Sequence, residues 1–437
     1  MKDKIKEILT GYTDNEYFGQ LIPRDTGIVP ELEKIQAIIG PRRVGKTSAM
    51  FLTMHKLKQS KRLTSGHILY FNFEDERLQF RTADLGLILQ AHTELYPHLN
   101  LKDVRFFFDE VQAAPGWEKF LNRINETLTK KIFFTGSNSA VLHTKVKSVM
   151  RGRSLARELL PLSFKEYCRF ANIKTGKYGK AKTQTLVAFQ RYLVYGGFPE
   201  TTTLGESIVH LSYLQEYYNA MLLRDIIEYN QLSNYSYLRA LYRYATTTIG
   251  KTVSIRRLFN HIKSQGYNVS LNSLYEVMDM AENAYLFKRI SKFDHSSLKS
   301  DKSDKKMYWI DNGLLNAITT QYTSNKGQLL EILVFWELYR RYGNVYNNNV
   351  YFYKDGTSEC DFIVRTHEEK LIPVQVCWSL TDIGTRGREL KGLLKACAYS
   401  KSPEAWIICA EEEEELVLEG VRIKIIPAWK WLLFTND

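Results

Sequence analysis

The sequence predicts a multidomain α/β protein whose first part is a parallel sheet with helices on both faces. Three observations carry this expectation. Continuous apolar runs alternate with helical patterns from residue 35 to about 162, and a glycine-rich turn, GPRRVGKTS, joins the first run to the first helix at 40–48. After residue 163 the pattern turns mainly helical, and a second α/β region follows residue 300. A chain of 437 residues suffices for two to four domains. With 44% hydrophobic and 25% charged residues, disorder is not the default.

The predicted strands of the first region are IQAII (35–39), HILYFNF (67–73), VRFFF (104–108), KIFFT (131–135) and RELLPL (157–162). Runs this apolar, separated by helix-length segments, fit strands buried on both faces. Met50, Phe51, Met54 and Leu57 recur at helical spacing, and lysines gather at the end of that segment, where they suit the negative end of the helix dipole.

From 163 to 230 the helical pattern is interrupted by KTGKYGKAK (174–182), read as a flexible basic loop, and by GGFPE (196–200), read as a turn. The stretch 231–295 gives three short helical patterns and then the strand-like YLFKRISKF. Leu274, Val277, Met278 and Ala281 form one buried helix face, as in a helix-turn-helix with a β-wing. KSDKSDKK (299–306) has no apolar residue and is expected to be a solvated boundary. Beyond it come a helix, LLEILVFWELYRRYG, and the strands VYFYK, CDFIVR, LIPVQVC and AWIICA. EEEEE (411–415) is expected to be an exposed turn. The expected domains are 1–162, 163–230, 231–300 and 301–437.

The formal charge of +12 favours an acidic partner, nucleic acid ahead of a membrane surface. Five scattered cysteines without a C-x-x-C pair argue against a disulfide framework and a structural zinc site. The opening MKDKIKEILTGYTDNEYFG lacks an apolar core with a cleavage site, and no window reaches about 18 uninterrupted apolar residues. A cytoplasmic location is expected, with no membrane partner.

GPRRVGKTS fits G-x-x-x-x-G-K-[ST], following a predicted strand and opening a predicted helix, where backbone N–H groups and the helix dipole converge on an anion. Gly40, Pro41, Arg42, Arg43, Val44, Gly45, Lys46, Thr47 and Ser48 are therefore the expected ATP-binding residues. Gly40 and Gly45 let the backbone wrap phosphates, Lys46 reaches the β and γ oxygens, and Thr47 offers a hydroxyl to Mg2+. FFFDE supplies two carboxylates at the end of a neighbouring strand. Asp109 is expected to hold Mg2+ and Glu110 to polarise the attacking water. TGSNS ends the next strand, and Asn138, or Ser137, is expected to orient that water. In KVKSVMRGRSLAR, Arg151 and Arg153 are candidates for a guanidinium reaching a neighbouring subunit's site.

GPRRVGKTS, YFNFEDERL, FFFDEVQ, FFTGSNS, RGR with LLPLSFKEY, YLVYGGFPE and LLRDIIEY together resemble bacterial and archaeal AAA-superfamily ATPases. The resemblance is to those with a winged-helix middle and a C-terminal domain of unknown function similar to restriction-type nucleases. It implies an AAA+ core with a helical lid, a winged helix-turn-helix, a restriction-endonuclease-like α/β domain, ATP and Mg2+ as cofactors, and a homo-oligomer.

Against the nuclease template, Glu331 sits in the helix, Asp361 opens DFIVR, and Gln375-Val376-Cys377 stands where Glu-x-Lys is wanted. Cys377 cannot replace an ammonium cation, so this degraded site is expected to be inactive and the domain to serve as a scaffold. In SLNSLYEVMDMAENA, Glu276, Asp279 and Glu282 would be repelled by phosphates. DNA contact is expected instead through KRISKFDHSSLKSDKSDKK or the 174–182 loop. The leading expectation is an oligomeric Mg-dependent ATPase acting on DNA or a protein. The alternatives are a slow ATP-dependent regulatory switch and an ATP-regulated nuclease.

Overall fold

The computed structural model describes residues 1–13, 21–61, 63–136, 154–204, 208–302, 304–319, 325–344, 348–356 and 358–435. The chain divides into two compact units, Met1–Leu160 and Pro161–Asp437.

The first unit runs α1 (Lys2–Thr13), β1 (Ile35–Ile39), α2 (Lys46–Lys61), β2 (Ile68–Asn72), α3 (Gly86–Leu95), β3 (Arg105–Asp109), α4 (Trp117–Thr127), β4 (Ile132–Thr135) and β5 (Ser154–Glu158). Its five strands form one sheet in the order β2-β3-β4-β1-β5, parallel throughout. β1 and β3 are buried along their whole length, which is why their sequences are continuous rather than alternating. One face packs Ile38, Tyr70, Phe107 and Phe133 under Met50, Met54 and Leu57 of α2. On α4, Phe120, Leu121 and Ile124 are buried, and Phe120 meets Phe108 edge-on at 5.6 Å. The parallel order brings the C-terminal ends of β1, β3 and β4 to one edge of the sheet, where the loops that follow them can share a ligand.

The last strand of this sheet differs from the RELLPL expectation: it starts earlier, at Ser154, and ends at Glu158. As an edge strand it tolerates the polar Arg157 and Glu158, and Pro161, lacking an N–H, cannot extend the ladder. An apolar run was therefore the wrong marker for a strand with one free side.

The second unit begins with α5 (Phe164–Phe170), α6 (Gly179–Tyr195) and α7 (Ile208–Ala220), the last continuing as a wider π-type stretch, Met221–Glu228. The basic stretch 174–182 is thus a loop only as far as Tyr178; its last residues open α6. Next come α8 (Leu238–Ala245), β6 (Thr252–Val253), α9 (Ile255–Ser264), α10 (Leu271–Asn283), β7 (Phe287–Ser291), α11 (Ser297–Lys302) and β8 (Lys305–Trp309). β6, β8 and β7 make an antiparallel three-stranded sheet with β8 in the middle. Leu274, Val277, Met278 and Ala281 are buried on α10. The KSDKSDKK stretch is not a solvated boundary, because its last residues enter β8 and Lys306 has no exposed surface.

The chain closes with α12 (Asn312–Ile318), α13 (Lys326–Tyr342), β9 (Val350–Asp355), β10 (Ser358–Arg365), β11 (Leu371–Val376), α14 (Ile383–Ser400), β12 (Glu404–Cys409), β13 (Glu414–Leu418), β14 (Val421–Pro427) and α15 (Ala428–Phe434). Six strands form a mixed sheet in the order β13-β14-β12-β11-β10-β9. Its core sets Cys360, Ile363, Ile407 and Ile423 against Leu393 and Ala396 of α14. The five-glutamate run is only partly a turn: Glu414 and Glu415 start the edge strand β13, with both side chains in solvent. All five cysteines are buried free thiols. No described helix is long and apolar enough to cross a membrane.

Candidate functional site

The loop between β1 and α2 takes the shape its glycines dictate. Gly40 (φ 150°) and Gly45 (φ 87°) lie where side chains are disfavoured, and a Cβ on Gly40 would collide with the Leu159 carbonyl. Arg43 also has positive φ, 65°, a rare conformation for a residue with a side chain. Val44 is buried beneath the loop. The Arg24 guanidinium, itself buried, donates to the carbonyl oxygens of Val44 and Leu160 and so ties the loop to the end of the unit. Lys46 is 6% exposed and donates from Nζ to the carbonyls of Gly40 (3.1 Å) and Pro41 (2.9 Å). An ammonium held across its own loop stands where phosphate oxygens would meet it.

Asp109, at the C-terminal end of β3, is 1% exposed. Its Oδ2 accepts from the hydroxyls of Thr47 (2.7 Å) and Tyr70 (2.9 Å), and its Oδ1 from that of Thr135 on β4. Burial pushes the Asp109 carboxyl up, while the Thr135 and Thr47 hydroxyls pull it down by favouring the ionised form. Burial likewise pushes the Tyr70 phenol up, with the Asp109 charge adding to it. Thr47 and Asp109 thus already share the position between them that a cation with oxygen ligands would take. The donor set fits Mg2+, which takes hydroxyl and carboxylate oxygens and keeps waters for the rest.

Glu110 follows in the left-handed region at φ 49°, which turns its side chain out of strand register. Its N–H donates to Thr135 Oγ1 at 3.0 Å, and its Oε2 accepts from Gln112 Nε2 at 2.5 Å. Of the residues expected from sequence, Gly40, Pro41, Arg42, Arg43, Val44, Gly45, Lys46, Thr47, Ser48, Asp109 and Glu110 converge here. Asn138, Arg151 and Arg153 lie outside the described residues. Sequence reasoning missed Arg24, Tyr70, Gln112 and Thr135. For Thr135 a signal existed, since it ends a strand adjacent to FFFDE.

A second cluster gathers the other expected residues. Glu331 on α13 and Asp361 on β10 do meet, but around a cation that was not expected. Lys306 Nζ lies 2.7 Å from Glu359, 3.4 Å from Asp361 and 3.5 Å from Glu331. Burial lowers the affinity of Lys306 for its proton, and the carboxylates of Glu331, Asp361 and Glu359 more than restore it. Asp361 is pushed up by burial and by the Glu331 charge. Its Oδ2 accepts from the Val376 N–H at 2.9 Å. Tyr308 donates to Glu331 at 2.8 Å.

Gln375 accepts from the Asp361 N–H through Oε1 (3.2 Å) and donates to Glu389 through Nε2 (2.6 Å), so its amide is fully used. Cys377 is buried, and its thiol is pushed up to about 12 by that burial. Lys370, the neighbouring lysine on the sequence, is exposed and paired with Glu368 at 2.6 Å. The ammonium of this cluster therefore comes from β8, a strand that precedes the helix glutamate. Among the described residues, no group of three or more His, Cys, Asp or Glu is arranged to hold a metal ion.

The model of an AAA domain matches residues 32–168. Two domains of unknown function, DUF8612 and DUF4143, match 186–325 and 326–431. An uncharacterized protein of Methanocaldococcus jannaschii, MJ1544, is 32% identical over 425 residues, covering 95% of this chain and 92% of its own. An uncharacterized protein of Haemophilus influenzae is 26% identical over 414 residues, covering 94% and 97%. Among solved structures, the Aeropyrum pernix ORC2 protein in its ADPNP and ADP complexes aligns over 72% of this chain and 91% of that one. That alignment has 13% identity and a TM-score of 0.36, a level from which nothing is argued.

Proposed function

The chain belongs to the family of the archaeal MJ1544 protein, with an AAA domain at its N-terminal end, and from that premise we propose that it is a Mg-dependent ATPase working as a homo-oligomer on nucleic acid. One observation carries the reading: Lys46, Thr47, Asp109, Thr135 and Glu110 meet at the C-terminal edge of a parallel sheet, each in the place its chemistry needs. The +12 charge supports a nucleic-acid partner.

In this reading the loop N–H groups and Lys46 bind the nucleotide's phosphates, and Thr47 and Asp109 hold the metal, which supplies charge neutralisation at the β and γ oxygens. Glu110 takes a proton from the attacking water as that water's oxygen bonds to the γ-phosphorus and the bond to the bridging oxygen breaks. Gln112 holds the Glu110 carboxylate through its 2.5 Å hydrogen bond, fixing the base. The region 231–309 acts as a winged helix. The C-terminal sheet acts as a nuclease-like binding scaffold, because Lys306 occupies the carboxylates and Gln375 and Cys377 supply neither a carboxylate nor an ammonium.

Phosphate release by the full chain tests the core of this. Lys46→Ala should lose nucleotide binding, whereas Glu110→Gln should bind ATP as tightly as the parent and turn it over ~100-fold or more slower, the usual loss with a general base. Undiminished turnover in both variants would overturn the assignment.

A further inference from the structure

Tyr218 and Asn219 on α7, Arg239 and Arg243 on α8, and the end of α12 line an open cavity of about 230 Å3, with Gln215 at its rim. Arg239 and Arg243 are one helical turn apart and so point the same way. Neither guanidinium has a hydrogen-bond or carboxylate partner among the described residues, and the same holds for the Tyr218 hydroxyl. Burial pushes the Tyr218 phenol up to about 12 against the pull of both arginines, so it remains a hydrogen-bond donor at neutral pH.

We propose that this notch is a phosphate-binding site through which the chain grips a nucleic-acid backbone. Two guanidinium forks beside a phenol and two amides match the oxygens of a phosphate. At 230 Å3 the cavity falls below the roughly 300 Å3 at which pockets enclose a whole small molecule. It suits one group of a larger molecule that continues outside.

The cations that the sequence offers for this task are engaged elsewhere. Arg289 pairs with Asp279 (2.5 Å) and Glu282 (2.6 Å), Lys305 donates to Ser291, and Lys306 is buried among carboxylates. Lys288 lies over the Tyr339 ring, and Lys177 and Lys182 lie over Phe434 and Trp429. On α9, adjacent to α8 through the stacked Tyr244 and His261, Arg256, Arg257 and Lys263 are exposed and carry no ion pair among the described residues, extending the positive surface.

The site rests on the reading that the partner is nucleic acid, and the test separates the two. Fluorescence anisotropy with the full chain, without nucleotide, compares a labelled duplex and a single strand of equal length across a salt series. Arg239→Ala/Arg243→Ala should weaken binding about tenfold or more and lower the slope of log K against log salt by about 2, one per phosphate contact. Arg239→Lys/Arg243→Lys should keep most of that slope, which guards against misfolding of the alanine pair, and Lys174→Ala/Lys180→Ala should change neither quantity. Unchanged affinity and slope in the alanine variant would overturn the notch while leaving the partner intact. Absence of binding by the parent chain would overturn the partner and the notch together. Equal affinity for polyglutamate would overturn the phosphate assignment.

Discussion

Removing the Lys306 ammonium would leave Glu331, Glu359 and Asp361 facing one another without a counter-charge. Breaking a buried ion pair from one side costs roughly 3–5 kcal/mol, far more than the pair contributes net against an apolar substitute. Lys306→Met should therefore lower the denaturant midpoint of the second unit by that amount, and Lys306→Met combined with Glu359→Gln and Asp361→Asn should recover most of it. A single variant as stable as the parent would show that the cluster is more solvated than its burial implies. This lysine was illegible in the sequence because it ends a run of lysines and aspartates that reads locally as solvated. The carboxylates that justify its burial lie 25 and 55 residues away. Lys46, Thr47, Asp109 and Glu110 were legible because their roles depend on local backbone, a glycine loop and a strand end, which spacing reports directly. Arg24 and Tyr70 depend on which distant segment lies beside the loop, and spacing does not report that.

Helix α12 shows how an element is pinned by its first residues. Asp311 caps it by accepting from the Leu314 N–H at 3.1 Å and reaches across to the Gly197 N–H at 2.7 Å. Gly196 (φ 77°) must lack a side chain, since a Cβ would collide with that carboxylate. Asn312 and Asn316 donate to the Leu193 and Val194 carbonyls at the end of α6, each at 2.8 Å. Burial pushes Asp311 up to about 6, against the backbone N–H groups that favour its charge. A raised carboxyl binds its proton in the folded state at pH values where the unfolded chain has lost it. Stability from this residue is thus greatest below about pH 4 and falls as pH rises to 6, by about 3 kcal/mol at 1.36 kcal/mol per unit. Comparing urea midpoints of the parent and Asp311→Asn from pH 4 to 7 should show the parent losing that much relative to the variant; parallel profiles would contradict it. The GGFPE turn was legible from its glycines, but the partner that makes Gly196 obligatory lies 115 positions further along. The strands buried on both faces were legible for the same reason that β5 was not: continuous apolarity marks a central strand and says little about an edge.

At the scale of the whole chain, the nucleotide site belongs entirely to Met1–Leu160 and the lysine-centred cluster entirely to Pro161–Asp437. Differential scanning calorimetry should therefore resolve two responses. ATP with Mg2+ at a hundredfold excess over its dissociation constant should stabilise the first unit by about 2.7 kcal/mol, raising its transition by roughly 5–10 °C. Lys46→Ala should abolish that shift without moving the other transition. A single transition that nucleotide and Lys306→Met displace equally would mean the units unfold as one. The sequence read the first unit well because a sheet fed by local crossovers encodes its order in its spacing, whereas the second unit assembles β8, α13 and β10 across long separations. The lysine at their meeting point has one more implication. A metal ion held by carboxylates has an off-rate and can be stripped by a chelator or starved by scarcity, but an ammonium on the polypeptide arrives with synthesis and never leaves. The C-terminal half consequently has no loaded and empty forms to cycle between, and whatever changes of state this protein undergoes are left to the nucleotide.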